Sequence, residues 1–320
     1  MKKKFLGMML VGCVVVGMVV LGGEVLAVGS STKQQRIFQA VTTKATLLGV
    51  GNNFSMYYKG LKDGVEVTIN ADRPWVPASM VKCFLIVEAF RQRNAGLINF
   101  DQKIVIKSKN VVPSGPETYD FSELQAGTRI TIRELVEVMI TRSDNTAYNA
   151  LLDLLDRRNV NLTLKRLEFL DTSVGEKLSL GDVQAGLEAD LPGKQVNQTT
   201  AHDLGSLFEK LYNGQIKSGG EILNVFKRQR ESLMLPALLP SVPVAHKTGV
   251  SAPYYHDGGI VYKPYDPYVL VIMTDSGNPD IVAKLSKEVY YVNDRKVLGS
   301  WTTDLWNIFQ SFISSLRGKP

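Results

Sequence analysis

The stretch TIRELVEVMITRSDNTAYNALLDLL, residues 131–155, decides how the middle of this 320-residue chain folds. Apolar residues recur at helical spacing from Thr131 to Ile140 and again from Ala147 onward, which predicts two helices. Between them, the polar run RSDNTA places Ser143 and Asn145 in a turn. A Ser-Asp-Asn triplet by itself is typical of an ordinary helix cap or turn, so its meaning depends on the rest of the chain.

A second polar pattern lies upstream in VPASMVKCF, residues 76–84, where Ser79 and Lys82 stand three residues apart at the head of an apolar run. On a helix the two side chains share one face, and a partly desolvated lysine can accept a proton from a serine. The same pattern occurs in the polar segment SSTK, residues 30–33. The pattern alone therefore does not distinguish a nucleophile with its base from a helix start with a solvated lysine.

A third pattern lies downstream in AHKTGV, residues 245–250, where Lys247, Thr248 and Gly249 belong to a strand-like run. The similar triplet KSG, residues 217–219, leads into the helical sequence EILNVFKRQRESL and lacks strand character. We therefore set the second match aside.

Strand patterns at both ends of the chain and helical patterns between them predict the fold class, α/β of the α+β type. The run FSMYYKGLKDGVEVTIN, residues 54–70, reads as a hairpin around Asp63-Gly64. Later strands are predicted at residues 242–250, 258–263 and 268–275, and further helices from residues 201, 281 and 301. We expect one antiparallel sheet flanked by helices, formed by residues 28–78 and 212–320, joined to a mostly helical subdomain, residues 79–211. A site would form at their junction.

The first 27 residues resemble a leader. Three lysines precede an apolar run from Phe5 to Gly23, and Val25 and Ala27 have the spacing of a signal-peptidase site, so we predict a secretory signal. Two alternatives stay open: a retained membrane anchor through residues 5–22, and lipidation at Cys13. All three place the body of the protein outside the cytoplasmic membrane.

Composition excludes several other functions. With 44% hydrophobic and 21% charged residues, the chain is typical of a globular protein with a sizeable core. Its net charge of +6 is scattered, without a basic run, which argues against nucleic-acid binding. The three histidines, His202, His246 and His256, lack metal-ligand spacing, so we expect neither a metal nor a cofactor. We expect a monomer in which Cys83 is buried and inert.

The three patterns taken together, in this order, are much more specific. S-x-x-K, S-D-N and K-T-G form the signature set of class A β-lactamases and penicillin-binding proteins. From about Gln35 to its end, the chain resembles this family of penicillin-recognising serine hydrolases. The segment LPGKQVNQTTAHDL, residues 191–204, is also similar to the one that follows the family's Ω-shaped loop.

The resemblance implies roles for the catalytic groups. Ser79 would attack a carbonyl carbon and become acylated, with Lys82 as its base. Ser143 would relay a proton to the departing nitrogen. The backbone N–H groups of Ser79 and Val250 would form the oxyanion hole, where one donor is typically worth about 3 to 4 kcal/mol of barrier.

The resemblance also implies a substrate. Asn145 would hold the substrate's side-chain amide, while Lys247 and Thr248 would bind its carboxylate. Gly249 would keep the strand open to close approach by the ligand. These positions suit a β-lactam or an acyl-D-alanyl-D-alanine peptide.

One part of the family's pattern is missing. Class A β-lactamases use a glutamate in the Ω-shaped loop, in a Glu-x-x-Leu-Asn context, to activate the water that hydrolyses the acyl-enzyme. The matching region SLGDVQAGLEADLPGKQ, residues 179–195, has no such motif. Alignment on LEADLPG puts Gly186 in place of that glutamate and Glu188 in place of its asparagine partner. Glu188 or Asp190 remains a candidate base from a shifted position.

The expected function is that of an exported class A β-lactamase-like serine hydrolase that forms an acyl-enzyme through Ser79 and releases it slowly. A D,D-peptidase acting on peptidoglycan stem peptides is the first alternative, favoured by the missing glutamate. The second alternative is a non-catalytic domain that binds a cell-wall peptide or is acylated by penicillin once.

Overall fold

The structure is a computed structural model that describes residues 32–51, 53–112, 122–175, 177–178 and 196–292, and the backbone of two short strands nearer the N-terminus. The strands are β1 (Met18–Leu21), β2 (Glu24–Ala27), β3 (Phe54–Gly60), β4 (Glu66–Ile69), β5 (Lys103–Val105), β6 (Arg129–Thr131), β7 (Val244–Ser251), β8 (Tyr254–Val261) and β9 (Tyr268–Thr274). The α-helices are α1 (Lys33–Leu47), α2 (Lys82–Asn94), α3 (Ile132–Thr141), α4 (Asn145–Leu155), α5 (Arg157–Arg166), α6 (Ala201–Tyr212), α7 (Gly219–Phe226) and α8 (Pro279–Val292).

A five-stranded antiparallel sheet forms the centre of the described chain, in the order β4-β3-β9-β8-β7. The hairpin predicted around Asp63-Gly64 is confirmed, with Tyr58 of β3 opposite Val67 of β4. Strand β9 joins the early hairpin to the late one, since it pairs with β3 on one side and β8 on the other. The predicted sheet built from distant segments is therefore present, with β7 at its edge.

The sheet separates two apolar clusters, because side chains alternate along each strand. Met56 and Tyr58 of β3 lie in the cluster that contains the buried faces of α1 and α8. Tyr57, between them, lies in the larger cluster with α2, α3, α4 and α6. Helices that begin and end the described fold thus cover one face, and the helices from the middle of the chain cover the other.

The stretch 131–155 folds as predicted, with two helices joined by a short turn. Thr131 caps α3 through a reciprocal capping box with Glu134. The helical pattern that begins at Ala147 is interrupted at Asp156, whose φ of +65° ends α4 and whose carboxylate caps α5. The sequence pattern carried no sign of this break.

Helix α1 was missed because its first turn is polar. Thr32 caps it, and the Nζ atom of Lys33 binds the carboxylates of Asp63 and Asp266 at 2.6 and 2.9 Å. The lysine of the SSTK segment is therefore a tether between α1 and two strand connections. The two-stranded ladder of β5 and β6 was also missed, and β8 begins at Tyr254 rather than Gly258.

The predictions for the leader fall largely outside the described residues. Strands β1 and β2 pair antiparallel with each other, and Cys13 and most of residues 5–22 are not described. Among the described helices, none combines the length and the apolar character that a membrane crossing requires. The helix predicted from Trp301 lies beyond the described chain, and the proposed subdomain boundaries stay a prediction.

Gly205 on α6 tests the packing between α6 and the sheet. A Cβ atom at this position would overlap the buried ring of Tyr57. We therefore expect Gly205→Ala to reduce the free energy of unfolding by about 1–3 kcal/mol, as overpacked cores do. The measurement is the thermal unfolding midpoint.

The matched control is Gly220→Ala on α7, where a new Cβ meets no atom within 4 Å. Alanine suits a helix better than glycine, so this midpoint should be unchanged or higher. If both variants unfold at the wild-type temperature, the close contact between α6 and Tyr57 is wrong.

Candidate active site

Ser79 lies in a short 3₁₀ turn, Ala78–Val81, that leads directly into α2. Ala78 has a φ of +47°, a left-handed conformation that residues with a Cβ seldom adopt. The turn closes with a hydrogen bond from the Met80 N–H to the Pro77 carbonyl at 3.0 Å. Ser79 itself is half-buried, so its hydroxyl lies at the mouth of the site.

Lys82, the first residue of α2, is fully buried. Its Nζ atom lies 2.9 Å from Ser79 Oγ, 2.6 Å from the Ser143 carbonyl oxygen and 2.6 Å from Asn145 Oδ1. A buried amine needs such partners because leaving water is costly. The predicted proximity of Ser79 and Lys82 is confirmed, and in its neutral form this amine is placed to accept the Ser79 proton.

Ser143 lies in the turn between α3 and α4, as predicted, with a φ of +59°. Asn145, which was also predicted in the turn, is instead the first residue of α4, because Asp144 is the N-cap of that helix. Asp144 caps α4 by accepting the Ala147 N–H at 2.7 Å. Ser143 presents both its carbonyl oxygen and its hydroxyl to Lys82, the hydroxyl at 3.2 Å. The Ser-Asp-Asn triplet is thus both a helix cap and part of the site.

Lys247 reaches the same hydroxyl from β7. Its Nζ atom lies 2.9 Å from Ser143 Oγ and 2.8 Å from the Thr248 carbonyl oxygen, and the residue is fully buried. A serine oxygen can accept two hydrogen bonds while keeping its own proton to donate. Ser143 is therefore arranged to pass a proton to a third group. Burial lowers the pKa of Lys247 to about 8.

Packing within the protein requires a glycine at position 249. A Cβ atom here would lie 2.7 Å from both the Pro77 carbonyl oxygen and Met80 Cγ. The sequence suggested that a ligand makes this close approach, whereas the structure shows the peptide before Ser79 making it. Val250, next along β7, is half-buried. The pairing of its N–H with that of Ser79 as an oxyanion hole stays a prediction.

Two neighbouring residues have the properties predicted for them. Cys83 is fully buried, and burial raises its pKa to about 12, so its thiol is unreactive. His246 points away from Lys247 along β7 and contacts the carboxylate of Asp257 at 2.9 Å. Neither side chain is available as a nucleophile or base for Ser79.

Asn149 is a site residue that sequence reasoning missed. It lies one turn after Asn145 on α4, so the two side chains share a face. Its side-chain amide binds the backbone of Leu178 twice, donating to the carbonyl at 2.7 Å and accepting the N–H at 2.9 Å. The signal is a second asparagine at helical spacing from Asn145.

Leu178 directly precedes residues 179–195, the segment that matches the family's Ω-shaped loop. Its backbone is held by Asn149, which itself lies one helical turn after Asn145, whose amide binds Lys82. Its side chain is half-buried against the larger apolar cluster. The candidate base Glu188, together with Gly186 and Asp190, lies outside the described residues.

Among the described residues, no cluster of His, Cys, Asp or Glu side chains is able to hold a metal ion. The chemistry visible here uses hydroxyl groups, amines and an amide. The arrangement can deprotonate one serine, hold a second serine as a proton donor and bind an anionic group near Lys247.

Comparison with known proteins identifies relatives along most of the chain. A model described as the β-lactamase enzyme family matches residues 35–292. β-Lactamase VEB-1 of Pseudomonas aeruginosa is 24% identical over 256 residues, which cover 75% of this chain and 80% of the relative. β-Lactamase FAR-1 of Nocardia farcinica is 26% identical over 245 residues, which cover 74% of this chain and 71% of that relative.

Solved structures share the fold. PBP-A superposes with a TM-score of 0.68 at 23% identity, covering 80% of this chain and 96% of PBP-A. A β-lactamase from Sphaerobacter thermophilus gives a TM-score of 0.69 at 21% identity, and the match covers 81% of this chain and 95% of that β-lactamase. The predicted antiparallel sheet with flanking helices and a helical layer is thus confirmed.

Lys247 is expected to lose its proton near pH 8, because burial disfavours the charged amine and lowers its pKa to about 8. The amine should be charged below that pH and neutral above it. Nuclear magnetic resonance of protein carrying ¹³C-labelled lysine measures the titration, and Lys247→Arg identifies the signal. A Lys247 signal that titrates near the ordinary lysine value of 10.5 would contradict the expected desolvation.

Proposed function

The chain belongs to the β-lactamase enzyme family, and we propose that it is an exported serine hydrolase that is acylated by β-lactams at Ser79 and hydrolyses the acyl-enzyme slowly. One observation carries the proposal: Lys82 Nζ lies 2.9 Å from Ser79 Oγ while the Asn145 amide and the Ser143 carbonyl hold it in place. That geometry activates a nucleophile without a metal or a histidine.

Acylation begins with proton transfer. Neutral Lys82 takes the proton of Ser79, whose oxygen bonds to the β-lactam carbonyl carbon. The carbonyl electrons move to oxygen, and the resulting oxyanion accepts hydrogen bonds from the N–H groups of Ser79 and Val250. Both donors come from backbone that is packed together, since β7 lies against the 3₁₀ turn.

Breakdown of this intermediate cleaves the carbon–nitrogen bond and needs a proton on the departing nitrogen. Ser143 donates its hydroxyl proton to that nitrogen and regains one from a lysine ammonium. Its oxygen lies 3.2 Å from Lys82 Nζ and 2.9 Å from Lys247 Nζ, so either amine can supply it. The ester at Ser79 and an open ring remain.

Substrate binding uses the groups around this centre. Charged Lys247 and the hydroxyl of Thr248 bind the β-lactam carboxylate, and the Asn145 amide holds the side-chain amide of the substrate. Lys247 should therefore bind the carboxylate best below about pH 8, because its amine is charged there even though burial has lowered its pKa.

Slow hydrolysis follows from the missing glutamate of the Ω-shaped loop. Gly186 aligns with it, and the described residue that directly precedes this loop, Leu178, has no acid or base function. General-base catalysis contributes about 10²- to 10⁴-fold to such a step. Glu188, outside the described residues, is the candidate base if turnover is fast.

The missing glutamate also supports a second candidate function, a D,D-peptidase acting on peptidoglycan stem peptides ending in D-alanyl-D-alanine. Such a peptide has a scissile carbonyl and a carboxylate in the same relation as a β-lactam. A non-catalytic sensor is less well supported, because the hydrogen-bonded set of Ser79, Lys82, Ser143 and Lys247 is intact. The apolar leader supports export, either cleaved or retained as an anchor.

Intact-protein mass spectrometry after mixing with benzylpenicillin tests the proposal. The expected result is an added penicilloyl mass on the wild-type protein that persists long after acylation is complete and is absent from Ser79→Ala. The same two proteins are incubated with an acyl-D-alanyl-D-alanine peptide, and release of D-alanine is measured.

Each outcome assigns a function. An adduct that decays slowly while penicilloate accumulates supports the slow β-lactamase, and Ser79-dependent release of D-alanine supports the peptidase. An adduct that persists for hours without either product supports the non-catalytic sensor. Rapid clearance with accumulation of penicilloate would show that an efficient base exists, and Glu188→Gln then tests the candidate. A folded wild-type protein without adduct sinks the acyl-enzyme mechanism for this substrate.

Leu178→Glu tests why hydrolysis is slow. Leu178 directly precedes the segment that lacks the glutamate, and its backbone is fixed to Asn149, so a carboxylate introduced here tests whether a base restored beside this segment activates water at the ester. We expect decay of the penicilloyl adduct to accelerate by about 10²-fold or more.

Leu178→Gln is the matched control, since it has the same size and polarity but no base. It should leave the decay slow. Equal decay of the adduct in Leu178→Glu and Leu178→Gln would show that position 178 does not face the ester.

A further inference from the structure

His256 connects the peptide before Ser79 to the centre of the sheet. This fully buried side chain stands on β8, opposite Gly249 of β7 and Met273 of β9. Its Nε2 atom lies 3.0 Å from the Val76 carbonyl oxygen, and its Nδ1 atom accepts the Thr274 N–H at 3.2 Å. Since Nδ1 accepts, the ring proton is on Nε2 and is donated to Val76.

The same peptide is held at its other residues. Trp75 exchanges two backbone hydrogen bonds with Thr199, at 2.8 and 3.1 Å, and its indole N–H binds Ser55 Oγ at 2.8 Å. The edge of the His256 ring packs on Trp75, with centroids 5.5 Å apart and planes at 71°. Each contact ties the segment to the sheet or to the segment that precedes α6.

Between these tethers and Ser79 the backbone is strained. Pro77 has no N–H to donate, and its carbonyl oxygen lies where a side chain at Gly249 would be. Ala78 then takes the left-handed conformation, which costs free energy and persists only where surrounding contacts determine it. The hydrogen bond from His256 to Val76 ties the sheet's interior to the backbone two residues before the strained Ala78.

We propose that His256 is a positioning residue for acylation, which holds the Val76 carbonyl so that the strained turn presents Ser79 Oγ to Lys82. It touches neither substrate nor the reacting atoms and acts through residues 76–79. Rate depends steeply on such placement, since an error of about 1 Å in a reacting group can cost about 10²-fold. The inference rests on the proposed acylation of Ser79.

The neutral state of the ring supports this role. Both hydrogen bonds require one protonated and one unprotonated nitrogen. Burial lowers the pKa of His256 to about 4, so the ring keeps this form at ordinary pH.

Two substitutions separate the two hydrogen bonds. In His256→Gln the amide nitrogen reaches as far as Nε2 and can still donate to Val76. In His256→Asn the shorter amide reaches only the position of Nδ1, so the contact with Val76 is lost. The measurement is the acylation rate constant and the dissociation constant of the preceding complex, for benzylpenicillin, by rapid quenching and intact-protein mass spectrometry.

We expect His256→Asn to lower the acylation rate constant about 10- to 100-fold, with the dissociation constant nearly unchanged, because Lys247, Thr248 and Asn145 still bind the ligand. His256→Gln should recover most of the lost rate. His202→Gln, at a half-exposed histidine on α6, is the matched control and should acylate at the wild-type rate. Thermal unfolding confirms that each variant is folded at the assay temperature.

The outcomes are distinguishable. Wild-type acylation by folded His256→Asn, or equal losses in both His256 variants, would overturn the positioning role while leaving the proposed function intact. Failure of His256→Gln to fold would assign the residue a purely structural role and also overturn it. A wild-type protein without adduct would remove the proposed function and this inference together.

Discussion

Two buried lysine amines meet at one serine hydroxyl, and the rest of the site depends on this contact. Removing an ammonium ion from water costs several kcal/mol unless hydrogen bonds replace its hydration. Ser143 supplies much of that replacement, because its positive φ turns both its carbonyl and its hydroxyl toward Lys82 while Lys247 approaches the hydroxyl from the other side. The backbone conformation of Ser143 therefore both stabilises the two buried amines and positions the hydroxyl that passes a proton.

The two layers of the fold contribute different parts of this centre. The helical layer supplies Lys82 and the Ser-Asp-Asn turn, and the sheet supplies Lys247 on its edge strand. Gly249 allows the two layers to approach closely, since any side chain there would meet the peptide before Ser79. The centre exists only where the layers meet, which is the place the sequence predicted for a site.

The sequence predicted what is encoded locally. Spacing placed Ser79 near Lys82, and helical periodicity placed Ser143 in a turn, although Asn145 begins the helix that follows. What escaped prediction depends on partners far along the chain: His256 acts on a carbonyl 180 positions earlier, and Asn149 acts on Leu178. Helix α1 escaped because its polar first turn is held by Asp63 and Asp266. Local sequence patterns identify the reacting side chains, whereas the contacts that position them come from residues far away in the sequence.

The pairing of β3 with β9 limits how early during synthesis the protein can fold. These neighbouring strands come from opposite ends of the described chain, residues 54–60 and 268–274. A ribosome must therefore finish nearly all of the polypeptide before the sheet can close, and contacts of such long range fold slowly. Until the sheet closes, Lys247 is not fixed beside Ser143, and the site around Ser79 is not yet assembled. The five-stranded sheet is therefore among the last parts of the described fold that can form during synthesis.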